Sequence, residues 1–314
     1  MKPYAFGIDI GGTTVKIGLF TTYGELVKKW EIKTRTANGG EAILPDIADS
    51  IRQNLSEHNI SIHFIQGIGI GVPGPVDNDN NVLKCVNLGW GIFNIKEKMN
   101  ELIPEIENVC AGNDANVAAL GELWKGGAKD HNSTVMITLG TGVGGGVINK
   151  GKIIAGINGG GGEIGHMTVN PDETAVCGCG KRGCLEQYAS ATGLVRLGKL
   201  MLEEMGEPSP LRDMKEFEAR DICDLARDGD PVALAALDKC CEYLGRAMSL
   251  IACVTDPEVF VLGGGMSRAG EILTDNVLKY YRKYAFHVSV DTPVAIATLG
   301  NDAGMYGCAK MILE

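Results

Sequence analysis

Two Gly/Thr-rich turns, each set between apolar, β-branched runs, constrain this chain more than any other feature. The first block reads Tyr4-Ala-Phe-Gly-Ile-Asp9-Ile, then Gly11-Gly12-Thr13-Thr14, then Val15 to Phe20. The second reads Val135 to Leu139, then Gly140-Thr141-Gly142-Val143-Gly144, then Val147 onward. Each pattern predicts strands joined by a tight turn, followed by a third strand, over 26–32 in one block and 152–155 in the other. A related block occurring twice points to two similar α/β halves facing each other, with the ligand in the cleft between them.

Glycine supplies 44 of the 314 residues, roughly twice ordinary usage and without a collagen period. It therefore marks sharp turns or close approaches of backbone to ligand. A glycine turn alone is equally a hairpin with no ligand. Neither turn is a Rossmann fingerprint, and the chain has no P-loop motif. Two such turns in matching places suggest a nucleoside triphosphate clasped from both sides, by backbone N–H groups and Thr hydroxyls. Asp9, beside the first turn, would help to hold Mg²⁺ through water.

The remaining elements follow from periodicity and breakers. Helices are expected over 46–57, 115–124 and 231–254, and a closing helix from Asp302. Further strands are expected over 64–72, 259–262 and 294–299. The expected division is a smaller α/β domain over 1–113, onto which a closing helix over 301–314 packs back, and a larger α/β domain over 114–300. The formal charge is −10, from 29 basic and 39 acidic residues. That argues against nucleic acid or an anionic membrane as partner. Asp9 comes too early for a secretory signal, and the longest uncharged stretch, 132–149, is short and broken by Gly and Thr, so a cytoplasmic protein is expected.

The strongest chemical signal is His166 followed by Cys177-Gly-Cys179-Gly-Lys-Arg-Gly-Cys184. One His and three closely spaced Cys match a tetrahedral structural zinc site, the alternative being a glycine-rich loop of free thiols. The other seven of the ten cysteines read as small buried core residues. Glu163 and Glu186 flank the Cys/His set. With Asn113 and Asp114 they form a carboxylate and amide set of the kind that hydrogen-bonds sugar hydroxyls. Taken singly, each glutamate reads as solvated surface and Asp114 as a helix N-cap.

Asp9-x-Gly-Gly-Thr, Asn113-Asp114-Ala-Asn116, Glu163-x-Gly-His166 and Cys177-x-Cys-Gly-x-x-Gly-Cys184-x-Glu186 together resemble the ROK family of sugar kinases and related repressors. The resemblance runs from Gly7 to the segment 299–304, and Asn87-Leu-Gly-Trp90 and Tyr188-Ala-Ser-Ala-Thr192 look most like bacterial ATP-dependent glucokinases. It implies a two-domain actin-like, ribonuclease-H-like ATPase fold closing over hexose and ATP. By matching position, Asp114 would be the catalytic base, and Asn113, Glu163, His166 and Glu186 hexose ligands. Gly11, Gly12, Thr13 and Thr14, with Gly140, Thr141, Gly142 and Gly144, would be phosphate turns. Gly264 and Gly265 would pack the adenosine. His166 would serve zinc with one ring nitrogen and a sugar hydroxyl with the other.

The implied reaction is phosphoryl transfer from MgATP to O6 of glucose. N-acetylmannosamine, fructose or allose are the alternative substrates. A sugar-responsive repressor is disfavoured, because the first strand at Tyr4 leaves no room for a DNA-binding module. Relatives are usually dimers or tetramers. One departure is Gly112, where many relatives carry Glu.

Overall fold

The computed structural model describes residues 2–313. In chain order the first elements are β1 (Tyr4–Ile10), β2 (Thr14–Thr21), β3 (Leu26–Lys33), α1 (Ile43–Glu57), β4 (Ile65–Val72), β5 (Asn81–Val82) and β6 (Phe93–Asn94). Next come α2 (Ile95–Leu102), β7 (Val109–Asn113), α3 (Asp114–Lys125), β8 (Thr134–Leu139), β9 (Val143–Asn149) and β10 (Lys152–Ile153). The rest are α4 (Glu186–Ala189), α5 (Ala191–Glu204), α6 (Ala219–Arg227), α7 (Pro231–Thr255), β11 (Val259–Gly263), α8 (Glu271–Tyr284), β12 (Val294–Ile296) and α9 (Ala303–Leu313).

The chain forms two compact units. One comprises the chain as far as Asn132, Gly146–Gly162 and the stretch from Thr298 onward; the other comprises Ser133–Gly145 and Glu163–Ala297. These breaks fall elsewhere than after residue 113. α3 groups with the first unit because it packs backbone to backbone on α9. A Cβ on Gly121 would land on the Ala303 carbonyl, and one on Gly307 on that of Val117.

The first unit is built on a five-stranded sheet of order β3-β2-β1-β4-β7. β1 is antiparallel to β2, with Phe6 opposite Leu19, and parallel to β4, with Ile8 opposite Ile70. β4 is almost wholly buried, as expected of a parallel strand covered on both faces. β3, at the edge, alternates half-buried and exposed residues, and its Lys29 and Lys33 face solvent, which blunts the edge. α9 lies against bare sheet backbone: a Cβ on Gly69 would collide with the Cys308 carbonyl.

The second sheet has the order β10-β9-β8-β11-β12. β11 is parallel to β8 (Val261 opposite Met136) and to β12 (Val261 opposite Ala295). α7 begins with Asp230 as N-cap, its Oδ1 accepting from Ala233 N at 2.8 Å, and Pro231 at the first helical position.

Three expectations need correction. The strand expected over 294–299 stops at Ile296. Ala297 N still donates to Leu262 O, but Thr298 N and Leu299 N turn to the carboxylate of Glu122. The cap of α3 is Asn113, not Asp114: Asn113 Oδ1 accepts from Ala115 N (3.0 Å) and Asn116 N (3.2 Å). Finally, Cys253 is exposed and Cys110 half-buried, so not every cysteine outside the loop belongs to the core.

Candidate active site

In the first unit the turn 11–14 is a tight hairpin, closed by Gly11 N donating to Thr14 O at 2.9 Å. It is braced by buried Thr34, whose hydroxyl donates to Gly11 O (2.7 Å) and whose N–H donates to Thr13 O (2.9 Å). Gly12 and Thr13 stay exposed at the tip. Asp9, at the end of β1, has its carboxylate against the backbone of α9. Burial pushes its pKa up to about 6; Lys16 opposes the rise and the charge of Asp114 adds to it.

Asn113 ends β7 and starts α3. Besides capping the helix, it donates from Nδ2 to Gly74 O at 3.3 Å, so its carboxamide is held on both sides. Asp114 follows as the first residue of α3. A Cβ on Gly112, just before them, would come within 2.9 Å of Val117 Cγ1, so a larger residue there requires that side chain to move.

In the second unit the turn 140–143 is joined to α4 and α5. Val143 N donates to Glu186 Oε2 at 3.0 Å. Gly142 allows this approach, since a Cβ there would overlap Oε2. Gly264 has φ +81° and sits over the backbone of Leu139, where a Cβ would lie 2.5 Å from the carbonyl oxygen. Gly140, Thr141 and Gly265 line a cavity of about 1010 Å³ whose far wall includes Phe217, Cys223 and Met266. Three arginines also line it, and two of them, Arg220 and Arg227, pair with Asp224.

His166, Cys177, Cys179 and Cys184 offer ligand atoms that all lie within 4.8 Å of one another. Cys179 Sγ is 3.6 Å from Cys184 Sγ, and Cys177 Sγ is 3.9 Å from His166 Nδ1. Zn–S bonds of about 2.3 Å give a tetrahedron edge of about 3.8 Å, so the donor set fits a tetrahedral zinc ion. Burial, reinforced by the other two thiols, pushes the Cys184 thiol up to about 12, a penalty that a dication would offset. Gly183 (φ +72°) lets the loop pass Asn170 O, which a Cβ would strike. The other ring nitrogen of His166, Nε2, faces Glu163 Oε2 at 3.9 Å.

A polar network behind the loop carries no motif. Tyr188 Oη donates to Glu173 Oε2 (2.5 Å), Arg196 Nη2 donates to the same oxygen (2.8 Å), and Asn170 Nδ2 donates to Tyr188 Oη (2.8 Å). Burial opposes the charge of Glu173, but bonds from Tyr188, Ala175 N and Arg196 outweigh it and hold its pKa near about 2.

The second unit thus brings together Glu163, His166, Glu186, the three cysteines, the turn 140–144 and Gly264–Gly265; Asp9, the turn 11–14, Asn113 and Asp114 belong to the first. Sequence reasoning missed Thr34, Glu122, the Glu173–Tyr188–Arg196 network and the α6 wall of the cavity. The spacing of these residues offers no signal for any of them.

The model of the ROK family matches residues 5–314. The chain belongs to the ROK family. It is 43% identical to a glucokinase of Halalkalibacterium halodurans, over 98% of this chain and 94% of that one. Among solved structures, a ROK family glucokinase from Streptomyces griseus, in complex with glucose and AMPPNP, is 32% identical with a TM-score of 0.72, covering 98% of each chain. A ROK hexokinase from Thermus thermophilus is 30% identical with a TM-score of 0.79, covering 98% of this chain and 96% of that one. The ROK chain described here shares with them the mixed α/β, actin-like ATPase fold. Among its described residues no helix is long and apolar enough to cross a membrane.

Proposed function

We infer that this ROK protein is an ATP-dependent glucokinase, transferring the γ-phosphoryl group of MgATP to O6 of glucose. The observation that carries the reading is the Val143 N to Glu186 Oε2 hydrogen bond of 3.0 Å. It sets a carboxylate able to accept from hydroxyls directly against a Gly/Thr turn suited to phosphate. The full-length similarity to a glucokinase supports the same assignment.

Asn113, Glu163, His166 and Glu186 bind and orient the hexose, and Asp114 accepts the proton of the attacking hydroxyl. A weak base suffices, because the transition state is loose and proton transfer can be late. The turns 11–14 and 140–144 present backbone N–H groups to the triphosphate, and Gly264 and Gly265 pack the adenosine. Asp9 would hold Mg²⁺ through water; when bound, that ion offsets charge on the transferring phosphate. His166, Cys177, Cys179 and Cys184 would hold zinc, and four protein ligands leave it no open position, so its role is structural. Metal ligation by Nδ1 would fix the imidazole with Nε2 turned to Glu163 and the sugar.

A coupled assay of ADP release across glucose, N-acetylmannosamine, fructose and allose tests the reading. Glucose is expected to have the highest kcat/KM. A different hexose in first place would reassign the substrate, and no turnover with any of them would end the kinase assignment.

A further inference from the structure

Where the chain leaves β12, two peptide N–H groups no longer find partners in the sheet, and a single side chain takes both. Glu122, fully buried on α3, accepts from Leu299 N through Oε1 (2.8 Å) and from Thr298 N through Oε2 (3.0 Å). Oε2 also accepts from Gly127 N (2.8 Å), so the carboxylate is itself held at the end of its helix. Three peptide donors offset the cost of burying that charge. The segment fixed in this way, 298–304, leads to the end of β1. Asn301 O accepts from Lys16 Nζ (2.6 Å), Asp302 pairs with Lys29 (2.5 Å), and Gly304 closes on the carboxylate of Asp9. Lys16 stands opposite Asp9 in the register of β1 and β2, just beyond the turn 11–14. All of these residues belong to the first unit.

We propose that Glu122 is a positioning residue for the nucleotide: by fixing the segment 298–304 it sets where Lys16 and Asp9 stand beside the turn 11–14. The inference rests on the kinase reading given above, which assigns that turn to the triphosphate. A lysine carries its ammonium on a flexible four-carbon stem, so a lysine beside a turn does not by itself have a fixed place. The Asn301 carbonyl gives Lys16 one, and it does so only while the segment stays where Glu122 holds it. Asp9 is constrained from the same side, since Gly304 leaves its carboxylate no room to move toward α9. A shift of 298–304 therefore displaces a cation and a carboxylate together. Glu122, being fully buried, acts only through that segment.

The test is calorimetric binding of Mg·AMPPNP and, separately, of glucose to the wild type, Glu122→Gln and Leu299→Pro. Glu122→Gln keeps the shape of the side chain, but whichever way its carboxamide turns, the NH₂ group faces a peptide N–H. Leu299→Pro removes one donor from the other side of the link, at a residue whose φ of −79° suits proline. Each variant is expected to weaken Mg·AMPPNP binding about tenfold and to leave glucose binding within about twofold of the wild type. The double variant is expected to lose no more than Glu122→Gln alone, because both changes break the same link. General loosening would instead weaken both ligands, and the two losses would add. Unchanged AMPPNP affinity, an equal loss for glucose, or additive losses overturn the proposal while leaving the kinase reading intact; where one variant does not fold, the other decides. Wild-type protein that binds no Mg·AMPPNP overturns the nucleotide reading and the role of Glu122 with it.

Discussion

The carboxylate of Asp9 lies against the Cα of Gly304, so closely that a Cβ on Gly304 would sit 2.8 Å from Oδ2 and 3.0 Å from Oδ1. The end of β1 and the start of α9 thus share one cramped space. Gly304→Ala must move the carboxylate or the helix. Overpacking of this kind costs about 1–3 kcal/mol. Thermal unfolding should show that loss, and a Mg²⁺ titration of activity should show a raised half-saturation concentration.

The same burial makes stability depend on pH. The folded pKa of Asp9, about 6, lies above its unfolded value of 3.8. The neutral carboxyl is therefore favoured in the fold. Its contribution is fully present below pH 3.8 and is lost as pH rises through 6, about 3 kcal/mol in all at 1.36 kcal/mol per pKa unit. Denaturant unfolding of the wild type minus Asp9→Asn should fall by that order between pH 4 and pH 7. A flat difference would show that Asp9 is solvated.

Asp114→Asn keeps the shape of the side chain at the start of α3 and leaves the Asn113 cap in place. As the loss of a proton acceptor it should lower kcat by about 10²–10⁴-fold while glucose binding survives. Near-normal turnover would remove Asp114 from the base role.

Purified protein should carry about one zinc per chain, as a Cys₃His set requires. Chelation, or Cys179→Ala, should weaken glucose binding more than AMPPNP binding, because Glu163, His166 and Glu186 all belong to or adjoin the loop. Metal-free protein with full glucose affinity would defeat this.

Of the three arginines lining the cavity, Arg220 and Arg227 are paired with Asp224, whereas among the described residues Arg268 pairs with no carboxylate. If the cavity takes the nucleotide, as proposed for Gly264 and Gly265, that charge faces it. Arg268→Ala should raise the KM for ATP about tenfold, roughly 1.4 kcal/mol, with little change in the KM for glucose. Equal changes in both would point to general loosening instead.

Much of the local structure was legible from residue patterns. β1, β2, β4, β8 and β11 appear where apolar β-branched runs stand between glycine turns, and the helix expected over 231–254 is α7, Pro231–Thr255. The Cys/His spacing foretold a cluster within reach of one ion. In each case the signal and the structure it specifies lie within a few residues of each other. Glu122 shows the opposite case. It sits on α3, fully buried, and accepts from Gly127 N nearby but also from Thr298 N and Leu299 N, far along the chain. Nothing near residue 122 announces those partners.

What the sequence determined by itself is the chemistry on offer and the short elements that carry it, because periodicity, turn residues and ligand spacing act over one or two turns of chain. What only the tertiary structure decided is partnership. It seated α3 on α9 through two facing glycines, gave the Asn113 side chain the cap that Asp114 seemed suited to, and brought Glu186 onto the N–H of Val143. Those outcomes depend on which backbones can approach closely enough to lose their water, and that is settled only when distant segments pack.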